Sequence, residues 1–253
     1  MFFDLLKHRF KAVNAHGIHS PFVFDLYTQV FKAKKTDFRA IEDLRRELKS
    51  NGDILNIQDF GAGSKVNSSA QRTVSDIAGK SLKSPFWSAF LAKIIEHYKY
   101  REILELGTSL GITTSYLAQA APKGNIYTLE GCNETLDVAK RNFKHLDLNN
   151  IQTIQGNINQ TLPEFLKTVD KLDFVLFDAN HRFDPTIRYF EACFEKSHEN
   201  TVFVFDDIYW SEGMKNAWQK IVADPRVKIS IDFYQLGLVF FNKGVIKQHF
   251  ILK

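Results

Sequence analysis

From about residue 85 to residue 223, short apolar runs and helical patterns take turns without interruption, and this alternation constrains the fold more than any other feature of the chain. Strands are expected at Glu102–Leu106, Asn125–Glu130, Asn150–Gln155, Asp173–Asp178 and Thr201–Asp206. Helices are expected over 85–97, 112–121, 134–146, 163–168, 185–196 and 212–223, the first opened by a Ser84 cap and Pro85. Strands that alternate strictly with helices form a parallel sheet covered on both faces. The pattern then changes: Val227–Phe233 and Leu238–Phe241, joined by a short connection containing Gly237, read as an antiparallel hairpin at a sheet edge. Residues 1–84 show no such alternation, only helical spacing over Met1–Val13, from Ser20-Pro21 onward, and over Phe38–Leu48. The expected organisation is a helical N-terminal extension, 1–84, packed on one α/β domain, 85–253.

Composition removes other classes. No apolar run approaches the roughly 18 residues of a membrane span, and charges interrupt Met1–Phe10, which lacks the apolar core of a secretory signal. Cys132 and Cys193 stand far apart in no metal-ligand spacing, so a disulfide framework is excluded and a cytoplasmic location is expected. The net charge of +4 is unevenly spread. Residues 1–50 carry ten Lys/Arg against six Asp/Glu, whereas residues 51–253 carry 23 of each. A neutral main domain argues against a large polyanion, and the basic excess belongs to the helical extension.

Two glycine loops could cradle a cofactor. Asp59-Phe60-Gly61-Ala62-Gly63-Ser64 is followed by a polar stretch with no apolar helix face. Glu105-Leu106-Gly107-Thr108-Ser109-Leu110-Gly111 leaves a strand and enters a helix, and Glu130 closes the next strand 25 residues after Glu105. Gly107 and Gly111 let backbone approach a ligand, the helix N-terminus offers N–H groups, and a carboxylate at Glu130 can accept both hydroxyls of a ribose. A nucleoside-containing cofactor follows. The spacing departs from the G-x-G-x-x-G of dinucleotide sites.

Ile103 to Thr114, Thr128-Leu129-Glu130-Gly131, Phe174 to His181 and Phe205-Asp206-Asp207 together resemble the class I S-adenosylmethionine-dependent O-methyltransferases of the catechol and caffeoyl-CoA type. The resemblance implies a Rossmann-like seven-stranded sheet with an antiparallel last strand. It also implies a cofactor site in which Glu105 and Gly107 neighbour the methionine part, with Thr108, Ser109 and Gly111 in the same loop and Thr113 near the carboxylate. Glu130 would hold the ribose with Gly131 beside it, and Asn157 would lie by the adenine. Asp178, Asp206 and Asp207 end successive strands; three crowded carboxylates call for a hard divalent cation, Mg²⁺ or Ca²⁺ being the natural candidates and Mg²⁺ the first choice, with Asp178 also near the cofactor. Asp207 replaces the family's Asn, and His181 stands where the family has a Lys general base, a task histidine can perform. Tyr209 and Trp210 are candidate walls for a small hydroxylated acceptor. His16 and His19 sit in a loop before a helix. The extension is expected to cover the active site or mediate assembly, a homodimer included. Two other functions fit the same fold: an RNA methyltransferase, although Asp178-Ala179-Asn180-His181 lacks the Pro-Pro-aromatic loop of base-methylating enzymes, and a non-catalytic cofactor-binding module.

Overall fold

The structure, a computed structural model, describes residues 2–33, 36–58 and 71–253. In chain order these form helix α1 (Phe2–Lys11), helix α2 (Pro21–Asp25, continued by a π-helical stretch Leu26–Phe31) and helix α3 (Arg39–Leu48). An antiparallel pair, β1 (Ile54–Asn56) and β2 (Gln71–Thr73), precedes helices α4 (Val74–Lys80) and α5 (Pro85–Tyr98). The alternating region follows as β3 (Glu102–Leu106), α6 (Ile112–Ala120), β4 (Asn125–Glu130), α7 (Asn133–His145), β5 (Ile151–Gln155), α8 (Ile158–Leu166), β6 (Phe174–Phe177), α9 (Phe183–Phe194), β7 (Val202–Asp206) and α10 (Glu212–Ala223). Strands β8 (Ile229–Asp232), β9 (Leu236–Phe240) and β10 (Gln248–Ile251) come after it. The expected glycine loop at Asp59–Ser64 lies outside the described residues.

Contacts divide the chain into two compact units, residues 33–162 and residues 1–32 with 163–253. In the first, β3, β4 and β5 run parallel, with Glu105 opposite Thr128 and Glu130 opposite Gln155. Its core gathers Phe38, just ahead of α3, and Ile41, Leu44 and Leu48 of α3 with Val74 and Ile77 of α4 and with Ile112 and Tyr116 of α6. Local chemistry sets the helix ends. Ser84 accepts the Trp87 N–H ahead of Pro85, and Lys99 closes α5 in the left-handed region at φ +57°. Helix α4 went unforeseen because its upstream residues are polar, yet Thr73 caps it by accepting the Asp76 N–H at 3.1 Å. Helix α8 begins earlier than expected, at Ile158, with Pro163 inside it.

In the second unit β6 and β7 are parallel, while β9 pairs antiparallel with both β7 and β8. Every residue of β9 is buried, as are the first four of β7, which explains their continuous apolar runs. The core is aromatic: Phe177 stacks on Phe205 with centroids 4.4 Å apart, and Phe203 meets Phe177, Phe190 and Phe241 edge-on. Strand β10 is one strand more than the seven expected; it lies parallel to β8 and carries only partly buried or exposed side chains. Val13 bridges to Leu252, the Tyr27 hydroxyl donates to the Lys253 carbonyl at 2.7 Å, and Phe31 stacks on Phe233 at 4.7 Å, so residues 2–32 belong with the end of this sheet.

Candidate functional site

The end of β3 and the loop that follows form a hydrogen-bonded frame. Glu105 is fully buried, and its carboxylate accepts the hydroxyls of Thr114 in α6 and of Thr128 in β4, the latter at 2.7 Å. Thr108 and Thr128 bond hydroxyl to hydroxyl at 2.5 Å. The loop thus becomes fixed to β4 as well as β3. Gly107, at φ +104°, donates its N–H to the Leu129 carbonyl at 2.9 Å, which turns the chain sharply off the strand. Ser109 is also left-handed, at φ +50°, and its N–H donates to Glu130 Oε2 at 2.8 Å. Glu130 Oε1 accepts the Cys132 N–H at 2.9 Å. Burial pushes the Glu130 carboxyl above its ordinary range, although the N–H groups of Cys132, Ser109, Gly131 and Thr108 pull the other way.

Gly111 also has a packing role. A side chain there would meet Phe143 Cε1 at 2.5 Å and Ala139 Cβ at 2.9 Å, and its φ is +76°. Glycine is required here because α6 starts hard against α7. Asn142 of α7 reinforces the contact by donating to the Leu110 carbonyl at 2.8 Å. Thr113 is buried in the first turn of α6. Asn157 caps α8, its side-chain oxygen accepting the Asn159 N–H at 3.0 Å. Thr114, Thr128 and Asn142 were not singled out from sequence. Thr128 carried a signal, because it lies on the same face of its strand as Glu130.

In the other unit Asp178 follows β6, and His181 Nε2 lies 3.9 Å from its Oδ1. Between them Asn180 takes φ +59° and donates to the Tyr189 hydroxyl at 3.3 Å. His181 Nδ1 and Asn180 Oδ1 are buried with no hydrogen-bond partner among the described residues. Asp206 ends β7, and Asp207 then turns left-handed at φ +53°, donating its N–H to the Gln235 carbonyl and accepting the Trp210 N–H, both at 2.8 Å. Among the described residues no three His, Cys, Asp or Glu side chains gather to hold a metal ion, Asp178, Asp206 and Asp207 included. His16 and His19 are exposed and form no such set either.

Tyr209, expected as a substrate wall, is tied inward. Its hydroxyl donates to Asp232 Oδ2 at 2.8 Å, and its ring stacks on Tyr234 at 4.8 Å. Asp232 is buried; its Oδ1 also accepts the Tyr234 N–H at 2.8 Å and faces His8 Nε2 at 3.0 Å. Trp210 is half-buried.

The cofactor-side residues fit an adenosyl ligand: a carboxylate at the end of the second parallel strand, fixed by backbone donors, beside a left-handed loop that opens a helix. Residues 104–208 match a methyltransferase domain family. A catechol O-methyltransferase from Niastella koreensis is 28% identical over 159 residues, which cover 62% of this chain and 69% of that protein. A protein-L-isoaspartate O-methyltransferase from Ignicoccus hospitalis is 28% identical over 34% of this chain, and the match spans 41% of its own length. Among solved structures, a methyltransferase from Podospora anserina bound to S-adenosylhomocysteine superposes with a TM-score of 0.64 at 14% identity, covering 89% of this chain and 97% of that one. An O-methyltransferase from Bacillus cereus in complex with the same molecule gives 0.60 at 19% identity, covering 86% and 97%. The sheet is accordingly a mixed Rossmann-like methyltransferase sheet preceded by a helical extension, and residues 104–208 are similar to a methyltransferase domain, with a catechol O-methyltransferase among the relatives.

Proposed function

We propose that this protein transfers the methyl group of S-adenosylmethionine to a hydroxyl of a small molecule. The observation that carries the reading is the Glu130 carboxylate, half-buried at the end of β4 and braced by the N–H groups of Ser109 and Cys132. The bound cofactor supplies an electrophilic methyl on a sulfonium. Glu130 holds the ribose hydroxyls with Gly131 beside it, Thr113 and the start of α6 face the amino-acid carboxylate, Asn157 lies by the adenine, and Glu105 keeps the loop in place through Thr114 and Thr128.

His181 is the general base. Its Nε2 lies 3.9 Å from Asp178 Oδ1, so a carboxylate stands beside the ring. The imidazole takes the acceptor's hydroxyl proton as the oxygen–carbon bond forms and the sulfur–carbon bond breaks, and Asp178 stabilises the imidazolium that results. No step is routed through a cation, because Asp178, Asp206 and Asp207 do not converge into a metal-holding set. Turnover in strong chelator decides this point: loss that Mg²⁺ restores brings the cation back, whereas undiminished turnover removes it.

The test is a panel of catechols, hydroxy acids and hydroxylated amines incubated with protein and S-adenosylmethionine, with methylated product read by mass spectrometry. Methylation at oxygen of at least one class is expected. His181→Ala is expected to lower kcat by roughly a hundredfold to ten-thousandfold with cofactor affinity retained. Cofactor binding without transfer to any acceptor in the panel would establish a binding module instead, and transfer to RNA but to no small molecule would establish the polymer-directed alternative.

A further inference from the structure

Helix α1 shows two faces of opposite character. Leu5, His8 and Ala12 face the body of the unit, with His8 5% and Ala12 7% exposed and His8 held by Asp232. On the other side Phe3 is 77%, Leu6 37% and Phe10 89% exposed. At about 100° per residue these three form one ridge along the helix. Lys7 and Lys11 lie along one flank of the ridge and Arg9 along the other, all exposed. The helix's one carboxylate, Asp4, is paired with Lys215 of α10 at 3.0 Å, so no carboxylate of the helix itself is left to offset the three cations on its outer face.

We propose that this face of α1 is a docking surface for an anionic lipid membrane, on which the helix lies in the plane of the headgroups. An apolar ridge flanked on both sides by cations fits a lipid interface: Phe3, Leu6 and Phe10 enter the headgroup–acyl boundary while Lys7, Arg9 and Lys11 reach lipid phosphates and carboxylates. Charge complementarity selects this occupant over a second copy of the chain. A two-fold contact through the same face would set each basic flank against another, and like charges across an interface oppose association. The docking is peripheral, since no helix among the described residues is long and apolar enough to cross a membrane. The uneven charge of the sequence fits as well, the whole excess lying in residues 1–50.

The experiment is co-sedimentation of the full chain with vesicles of phosphatidylcholine alone and of phosphatidylcholine mixed with phosphatidylserine, alongside light scattering of the free protein. Binding is expected to the mixed vesicles only and to fall as salt is raised. Phe3→Ser with Phe10→Ser is expected to abolish it. Lys7→Glu with Lys11→Glu is expected to weaken it about tenfold or more. Circular dichroism and thermal unfolding unchanged from the parent identify a surface effect; if either pair unfolds, Phe10→Ser alone and Lys7→Glu alone carry the comparison. Equal binding to neutral vesicles, absence of binding, or binding that survives both pairs overturns the proposal. So does a parent dimer that Phe10→Ser converts to monomer.

Discussion

Glu130 illustrates how one side chain can serve both fold and ligand. Its two oxygens already accept N–H groups from Ser109 and Cys132, so in the proposed cofactor site it would meet the ribose from a fixed position rather than a flexible one. Glu130→Ala is expected to weaken S-adenosylmethionine binding by roughly tenfold to a hundredfold, measured by calorimetry. Glu130→Gln, which keeps one acceptor oxygen, should fall between. The loop around it was legible in the sequence because an acidic strand end, two glycines and a helix start are all local signals. Its braces were not. Thr114 and Thr128 bond to Glu105 only because strand register and a helix turn bring them there, and hydroxyls at such positions have no pattern of their own. The same holds for Tyr209: its place after Asp206-Asp207 suggested a substrate wall, but its partner is Asp232, a residue with nothing nearby in sequence to announce it.

At the scale of elements, the junction of α6 with α7 depends on the missing side chain at Gly111. Gly111→Ala would introduce a β-carbon 2.5 Å from the Phe143 ring at a backbone angle that alanine disfavours. Destabilisation of about 1–3 kcal/mol is expected, read from chemical denaturation. Helix α4 gives a pH-dependent counterpart. Lys80 and Arg72, at 2.5 and 2.9 Å, hold the Asp76 carboxyl down from its ordinary 3.8 to about 2. A carboxyl with a depressed folded-state pKa contributes fully above the ordinary value and loses its contribution as pH falls toward the lowered one. Thermal unfolding between about pH 4 and pH 2 should therefore be less steep in pH for Asp76→Asn than for the parent. The long alternating elements could be read from sequence since each carries several periods of its pattern. Strand β10 could not, because its four residues are polar or half-exposed, and neither could α4, whose seven residues offer barely two turns.

For the whole molecule, the unit that holds β6 to β10 also holds the first 32 residues. His8 is its deepest fastening, a buried ring donating to both the carbonyl and the carboxylate of Asp232. His8→Ala leaves those acceptors unsatisfied and should raise amide exchange over residues 3–12 and 249–252 by roughly tenfold to a hundredfold, with residues 71–162 unchanged. The sequence pointed to a helical extension ahead of an α/β domain. Which part of that domain it would join was hidden, because the contacts that decide it span 224 residues.

That separation bears on how the protein comes to exist. A ribosome adding roughly 5–20 residues per second makes Asp232 some ten to forty-five seconds after His8. Residues 33–162 are complete, with their own core and parallel strands, long before the partners of α1 have been synthesised. Through that interval Leu5 and His8 have no native sheet to rest on, beside a ridge of Phe3, Leu6 and Phe10 that is exposed even in the folded chain, which makes the nascent helix a ready client for whatever chaperone or surface waits at the exit tunnel.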